Sequence, residues 1–186
     1  EILGEEAGRF LDHLVTRPVS SADSMQGIYI VLCNKDGSLK DDAILYKFAE
    51  DHYWLMSSDI DHRPHFTALC EQFGISDLSI NECTMDFAGI AIQGPLSAML
   101  VKKLGVPDLE LLEPYQVVEF EHQGVLIRIA RMGFTADLGY ECWMPIEFSS
   151  RFEASLQNAI DNLKISAHGY GLTALEVCRI EGGFIV

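Results

Sequence analysis

Residues 131–145 have the sequence Arg-Met-Gly-Phe-Thr-Ala-Asp-Leu-Gly-Tyr-Glu-Cys-Trp-Met-Pro, which is the clearest single indication of the fold. An apolar segment leads in from Val125, and an aromatic-rich segment leads out. Gly133 and Gly139 bracket the connection between them. Two extended segments joined through glycines are typical of a β-hairpin. The stretch therefore predicts antiparallel sheet with a tight turn.

The outgoing strand should have two different faces, because side chains alternate along a strand. Tyr140, Cys142 and Met144 are expected on one face, with Glu141 and Trp143 on the other. An ionised carboxylate in apolar surroundings is costly unless it is hydrogen-bonded. If this face is buried, Glu141 needs a ligand ring with several N–H groups, an arginine or a pair of backbone amides. The residues alone leave these alternatives open, as well as a solvated or structurally paired carboxylate.

In the rest of the chain, predicted amphipathic helices alternate with groups of predicted strands. The helices predicted from apolar periodicity and Gly or Pro boundaries lie at residues 5–16, from about 62 to 74, and at 94–105, 147–162 and 172–181. The predicted strands lie at 27–33, 43–48, 53–56, 78–83, 87–93, 116–122 and 125–131. Because the strands come in consecutive runs with short links, we expect an α+β fold with antiparallel sheets. The strand-turn-strand-helix order occurs at residues 27–73 and again at 125–163, which indicates an internal duplication.

Composition narrows the class of partner. The chain has 186 residues, enough for one ordinary domain or two small fused halves. Its 13 Lys and Arg against 28 Asp and Glu give a net charge of -15, which disfavours nucleic acid and anionic membranes as partners. No long apolar run or signal-peptide pattern is present. We expect a cytoplasmic protein that acts on a small molecule or another protein.

Cysteine and histidine spacing gives no metal or nucleophile motif. The five cysteines lie far apart without a C-x-x-C pair, which fits reduced thiols. His62 and His65 share one face of a predicted helix, but no third ligand accompanies them, so no metal site is expected. Cys142 is expected to be a packing residue, because the sequence supplies no base for it.

A second candidate for chemistry is the adjacent pair Asp41 and Asp42, expected immediately before a strand. Adjacent residues in an extended segment point to opposite faces, so only one carboxylate can face an interior site. An inward aspartate with partial burial could have a raised pKa and serve as a proton handler or as an anchor for a developing cation. The alternative is a solvated pair at the edge of a turn.

Four segments together resemble the signatures of the aminomethyltransferase family, in order and spacing. They are residues 34–42, which contain the Asp pair, 91–95, 131–141 and 179–183. The family includes the T-protein of glycine cleavage, folate-linked demethylases and folate domains of dimethylglycine- and sarcosine-oxidising enzymes. The resemblance covers nearly the whole chain and implies duplicated ferredoxin-like halves of the T-protein folate-binding fold.

The same resemblance sets expectations for the boundaries. It implies a first half of the folate-binding region at residues 1–114 and a second half at 115–186, with the family's C-terminal barrel domain absent from the chain. Both ends are expected to be truncated, because the chain begins without Met and ends in an apolar run.

For function, the resemblance implies tetrahydrofolate as cofactor. Asp42 matches the catalytic carboxylate beside the folate nitrogen that receives the one-carbon unit. Glu141 matches the residue that holds the pteridine, and Phe134 stands where the family has an aromatic residue. The donor implied is a small N-, S- or O-methylated or aminomethyl compound, free or carried on a partner protein. The alternative is a non-catalytic folate-binding protein of the iron–sulfur maintenance type.

The chain departs from the family pattern at two informative positions. Leu175 occupies the place where glycine-cleavage members have a folate-contacting arginine, four residues before Arg179. A leucine cannot replace a guanidinium as a hydrogen-bonding cation, which favours a demethylase-like branch or a different placement of folate. Ala136 replaces a glycine of the motif, and Asp137 stands in place of its first glutamate.

Overall fold

The computed structural model describes residues 1–184 of the chain. It forms two compact units that divide between Cys83 and Thr84. Each unit contains one antiparallel sheet with helices, which confirms the α+β prediction. The apolar end of the chain, Ile185 and Val186, lies outside the described residues.

The first unit consists of five strands and two helices. They are β1 (Ile2–Leu3), α1 (Ala7–Leu14), β2 (Gln26–Cys33), β3 (Leu39–Ala49), β4 (His52–Ser57), α2 (Arg63–Phe73) and β5 (Ser79–Ile80). The strand order is β2-β3-β4-β1-β5. Phe10 and Leu11 of α1 share one buried core with Ile30 of β2 and Leu45 of β3. Burial of such side chains stabilises the unit, at roughly 1.5–3 kcal/mol for each.

Within residues 84–184, the second unit contains four strands and three α-helices. They are β6 (Phe87–Gln93), α3 (Ser97–Lys103), β7 (Val117–His122), β8 (Val125–Ala130), β9 (Gly139–Pro145), α4 (Ser149–Leu163) and α5 (Leu172–Gly182). The strand order is β6-β9-β8-β7. Ile127 and Ile129 of β8 pack with Cys142 and Met144 of β9 and with Phe152 of α4.

Both units repeat one arrangement, which is the expected duplication. A strand and a helix precede a three-strand meander and a further helix. In each unit the opening strand pairs antiparallel with the third meander strand, β1 with β4 and β6 with β9. The second repeat therefore begins with β6. This is why the structural division falls at residue 83, whereas the sequence-based division fell at residue 114: β6 pairs with a strand far along the chain.

The buried side chain of Lys47 forms hydrogen bonds that anchor a loop of the first unit. Its side chain is only 1% exposed, and Nζ donates hydrogen bonds to the carbonyl oxygens of Ser20 (2.8 Å) and Ala22 (2.9 Å). Nζ also lies 2.8 Å from a carboxylate oxygen of Glu50. The ammonium thus satisfies two carbonyl groups that lack a strand or helix partner.

We expect Lys47→Met to lower the free energy of unfolding by about 1–3 kcal/mol, because the carbonyls of Ser20 and Ala22 lose their donor while the aliphatic volume is kept. Urea denaturation measures the change. Lys35→Met is the matched control at an exposed position, where an effect within about 0.5 kcal/mol is expected. Equal effects of the two substitutions would contradict the anchoring role.

Candidate functional site

The loop at residues 131–138, here called the glycine loop, joins β8 to β9. These two strands pair only between residues 128–130 and 141–143, whereas β9 pairs with β6 along its whole length. The two strands are antiparallel neighbours as predicted, but the prediction of a tight turn between them is wrong. The loop is wider than a turn, because the strand that holds β9 in place is β6.

The side chain of Gln93, the last residue of β6, lies against Gly133 and Gly139. A Cβ built on Gly133 would come within 1.8 Å of Gln93 Oε1, and one on Gly139 within 2.0 Å. Neither glycine has a positive φ. Both positions therefore require glycine for close approach of Gln93, and not for turn geometry.

Hydrogen bonds from Gln93 fasten both ends of the glycine loop. Its Nε2 donates to the carbonyl oxygens of Met132 (3.2 Å) and Tyr140 (3.3 Å). Its Oε1 accepts from Thr135 Oγ1 at 3.1 Å. This role was not predicted from the sequence, although residues 91–95 and 131–141 both belong to the family signatures. A side-chain contact between segments so far apart leaves no periodic pattern in the sequence.

Ala136 explains the family's preference for glycine at this position. Its φ is +59°, a left-handed conformation that costs an L-residue roughly 1–2 kcal/mol. Its Cβ also faces Gly182 at the end of α5, where a built Cβ would lie 2.2 Å away. The loop and the helix end therefore leave room for only one methyl group.

We expect Ala136→Gly to stabilise the protein by about 0.5–1 kcal/mol, because the left-handed backbone suits glycine. Gly182→Ala should destabilise it by about 1–3 kcal/mol through overpacking. The double variant should recover most of that loss, which urea denaturation of the four proteins measures as a coupling energy. Strictly additive effects would contradict the contact.

Glu141 lies on β9 with the predicted alternation. Tyr140, Cys142 and Met144 are buried in the core of the unit, so Glu141 points to the other face. Its nearest cross-strand neighbours are Ala91 on β6 and Ala130 on β8. Ala91 is exposed whereas Ala130 is fully buried, so the open side of Glu141 is toward β6.

The Glu141 carboxylate is half-buried and makes no hydrogen bond to any of residues 1–184. Burial raises its pKa. Burial also raises the pKa of Tyr170, and the charge of Glu141 raises it further, so the phenol lies within electrostatic reach. Of the partners considered from the sequence, the described residues supply neither an arginine nor a pair of amides. A ligand with N–H donors and a solvated carboxylate are the alternatives that remain.

Two neighbours of Glu141 are accounted for by packing. Trp143 is buried on the same face as Glu141, as predicted, and its ring lies beside Gly89. Cys142 is fully buried, and burial together with the Glu141 charge raises the pKa of its thiol. A protonated, inaccessible thiol fits the expected packing role.

Phe134 lies in the glycine loop of the same unit and is half-buried. Its ring centroid is 5.2 Å from that of Phe184. Leu175, on α5, is half-buried, and Arg179 is bonded to Glu176 of the same helix. The loop and α5 therefore bring Phe134 close to the final family segment.

Asp41 and Asp42 lie within β3, which begins at Leu39, so the expectation that they precede the strand is wrong. They point to opposite faces, as predicted. Asp41 is the buried one at 7% exposure. Its Oδ2 accepts hydrogen bonds from His62 Nε2 (2.6 Å) and Ser58 Oγ (2.9 Å).

Partial burial could have raised the pKa of the inward aspartate, but the pKa of Asp41 is lowered. Burial alone would raise the pKa of Asp41, but hydrogen bonds from His62, Ser58 and the amide of Asp42 lower it. His62 is thus engaged with a carboxylate. Among residues 1–184, no group of three or more His, Cys, Asp or Glu side chains could hold a metal ion.

Asp42 is half-buried on the opposite face of the sheet. Its Oδ2 accepts a hydrogen bond from the phenol of Tyr29 at 2.8 Å. Tyr29 was not singled out from the sequence, but Val31 pairs with Asp42, which places Tyr29 diagonally across β2 on the same face. Asp42 belongs to the first unit, whereas Glu141 and Phe134 belong to the second.

Comparison with known proteins identifies the family. A sequence profile of the GCVT N-terminal domain matches residues 1–186. The aminomethyltransferase of Desulfitobacterium hafniense strain Y51 is 30% identical over 81% of this chain and 41% of its own length. That of Alkaliphilus metalliredigens is 29% identical over 97% of this chain and 49% of its own. The chain thus spans about half the length of these curated relatives.

The fold agrees. The crystal structure of glycine cleavage system aminomethyltransferase T from Bartonella henselae matches all of this chain and 48% of that chain, with a TM-score of 0.79 and 25% identity. No helix within the described part of the chain is long and apolar enough to cross a membrane. The profile match over the full sequence and the shared T-protein fold together show that the chain belongs to the aminomethyltransferase family, through its GCVT N-terminal domain.

Proposed function

We propose that this chain is the folate-binding part of a one-carbon transferase. In this proposal a methyl or aminomethyl-derived group passes between tetrahydrofolate and a small N-, S- or O-methylated or aminomethyl donor, free or carried on a partner protein. The observation that carries the proposal is Glu141, a half-buried carboxylate with a raised pKa and no hydrogen-bond donor among residues 1–184. Family membership supplies the cofactor class.

The residues around Glu141 fit a pterin. The pterin ring carries an N–H and an amino group side by side, and a carboxylate can accept both hydrogen bonds in parallel. Ala91, the neighbour of Glu141 on β6, is small and exposed, so a flat ring can approach the carboxylate from that side. In the proposal Glu141 binds the polar edge of the ring, and Phe134 contributes apolar surface from the glycine loop.

Asp42 is proposed as the catalytic carboxylate. When bound, tetrahydrofolate supplies the nitrogen that carries the one-carbon unit. Tyr29 orients one oxygen of Asp42 by its hydrogen bond, which leaves the other oxygen to face a positively charged reacting group. A preorganised carboxylate stabilises developing positive charge in a site that excludes water. Placement of the two reactants can contribute roughly 7–11 kcal/mol more.

Departure from the glycine-cleavage pattern at Leu175 supports a demethylase-like donor over the aminomethyl donor of glycine cleavage. Without the guanidinium, the folate contacts available in this chain centre on Glu141. The same substitution is compatible with the non-catalytic alternative, a folate-binding protein of the iron–sulfur maintenance type.

Two measurements on the complete protein test the proposal. Calorimetric titration with tetrahydrofolate should give saturable binding. Incubation with tetrahydrofolate and a panel of N-, S- and O-methylated or aminomethyl compounds should then produce methyl- or methylene-tetrahydrofolate with at least one of them. Binding without turnover across the panel would favour the non-catalytic alternative, and absence of binding would overturn both.

A further inference from the structure

A hydrogen-bonded cluster with two buried members and one exposed member lies behind Asp42, on the opposite face of β3. It consists of Asp41, Ser58 and His62, and is here called the Asp41 cluster. Asp41 is 7% exposed and His62 4%. The His62 ring stacks on Phe66, with ring centroids 5.8 Å apart. None of its members is used in the proposed binding of folate.

The cluster reaches Asp42 through the backbone. Pairing between β3 and β4 ends at Ala43 and Ser57, so Asp42 has no partner on β4. Asp41 Oδ1 accepts a hydrogen bond from the Asp42 backbone N–H at 2.9 Å. The other oxygen, Oδ2, accepts hydrogen bonds from His62 Nε2 and Ser58 Oγ. The two oxygens of Asp41 therefore differ in role, because one holds the strand at Asp42 and the other is fixed from the start of α2.

His62 is the member that keeps this arrangement in place. A buried carboxylate that loses its charge-assisted donor must turn toward water or take up a proton, since an unpaired buried charge is costly. Either change weakens its bond to the Asp42 amide. His62 Nδ1 is itself buried without a hydrogen-bond partner in the described residues, a cost that a residue of purely apolar packing would not incur.

We propose that His62, acting through Asp41, is a positioning residue for the Asp42 carboxylate. The inference rests on the proposed catalytic role of Asp42. The backbone of Asp42 is held by Asp41 on one face, and its carboxylate is held by Tyr29 on the other. Both the backbone and the carboxylate group of Asp42 are thereby held in position, as precise placement in catalysis requires.

The test compares His62→Leu, which removes the donor, with His62→Gln, which can still present an N–H to Asp41. His65→Leu, in the first turn of α2, is the matched control. In the complete protein, His62→Leu should lower kcat by about 10- to 100-fold with little change in tetrahydrofolate affinity, since misplacement of about 1 Å has effects of this size. His62→Gln should recover much of the loss, and His65→Leu should cause little.

A double-mutant cycle with Asp42→Asn separates positioning from a general structural role. If His62 acts through Asp42, His62→Leu should cause no further loss of kcat in the Asp42→Asn protein. An undiminished further loss would overturn the proposal. The amide proton resonance of Asp42, followed by NMR, gives a readout independent of turnover: it should shift in His62→Leu and stay close to the original in His62→Gln.

The outcomes distinguish this inference from the proposed function. If Asp42→Asn leaves turnover unchanged, the catalytic role of Asp42 fails, and with it any catalytic positioning by His62. An Asp42 amide resonance that does not move in His62→Leu overturns the positioning inference alone, whatever the activity. Ser58→Ala removes the second donor to Asp41 and provides a milder variant if His62→Leu does not fold.

Discussion

Substitution of Glu141 by alanine is expected to weaken tetrahydrofolate binding by about 2–3 kcal/mol, roughly 30- to 150-fold in Kd, while the protein stays folded. Affinity falls by this amount because the pterin edge loses its charge-assisted hydrogen bonds to the carboxylate. Calorimetric titration of the complete protein measures the change. Glu153→Ala, at an exposed position on α4, is the control and should bind as tightly as the original protein. Equal affinity of the Glu141→Ala and original proteins would contradict the assignment.

The pH dependence of binding should follow the raised pKa of Glu141. A ligand that donates hydrogen bonds prefers the ionised carboxylate. Affinity should therefore be greatest above the pKa of the free protein and fall as the pH decreases through it. In Glu141→Gln this part of the pH dependence should disappear. A Glu141→Gln protein that keeps the full dependence would show that another group is responsible.

Stability without ligand should change in the opposite direction. A carboxyl whose folded pKa is raised binds protons more tightly in the folded state than in the unfolded state. The folded protein therefore loses stability as the pH rises from the unfolded pKa to the folded pKa. Glu141→Gln removes this loss and should raise the urea midpoint at neutral pH. A carboxylate that stabilised the fold would give the reverse, so the two measurements separate binding from structure.

This opposition is typical of a binding site. Binding groups are often held in surroundings that destabilise the empty protein, and a ligand offsets the cost. Glu141 differs in this respect from Asp41, whose charge is already matched by donors within the chain. Asp41 is therefore satisfied within the chain, whereas the carboxylate of Glu141 is left for a partner.

Sequence periodicity was sufficient for most elements of the fold. The strands β6, β7 and β8 and the helices α4 and α5 lie within one or two residues of the predicted limits, because apolar alternation and glycine boundaries are local properties. The faces of β9 were also predictable, since alternation follows directly from strand geometry. The conformation of the loop before β9 was not predictable, because it depends on the pairing of β9 with β6.

The features that could not be predicted from the sequence are contacts between distant segments. Gln93 requires glycine at two positions far along the chain, and Asp41 meets His62 across 21 residues. The two glycines were predicted to be turn residues, and no partner was predicted for His62. In each case the residue type is evident from the sequence, but its partner is set by tertiary packing, which local patterns do not specify.

Asp42→Asn is expected to lower kcat by about 10²- to 10³-fold and to leave tetrahydrofolate affinity nearly unchanged. Asparagine keeps the size of the side chain and can accept the hydrogen bond from Tyr29, but it carries no charge for a cationic reacting group, and preorganised electrostatic groups contribute rate factors of this size. Single-turnover kinetics of the complete protein, with a donor identified from the substrate panel, measures the effect on the transfer step. Tyr29→Phe should have a smaller effect of about 5- to 10-fold, because it removes one hydrogen bond but leaves the charge.

Asp23→Asn is the matched control for Asp42→Asn, because Asp23 is an exposed aspartate outside the strands of the first unit. It should retain full activity. If Asp42→Asn lowers affinity for tetrahydrofolate and kcat in equal proportion, the carboxylate contributes to binding of the cofactor, and the catalytic assignment is wrong. If it changes kcat alone, Asp42 acts on the transition state. The functional carboxylate of the pair is then the one that faces away from the buried cluster.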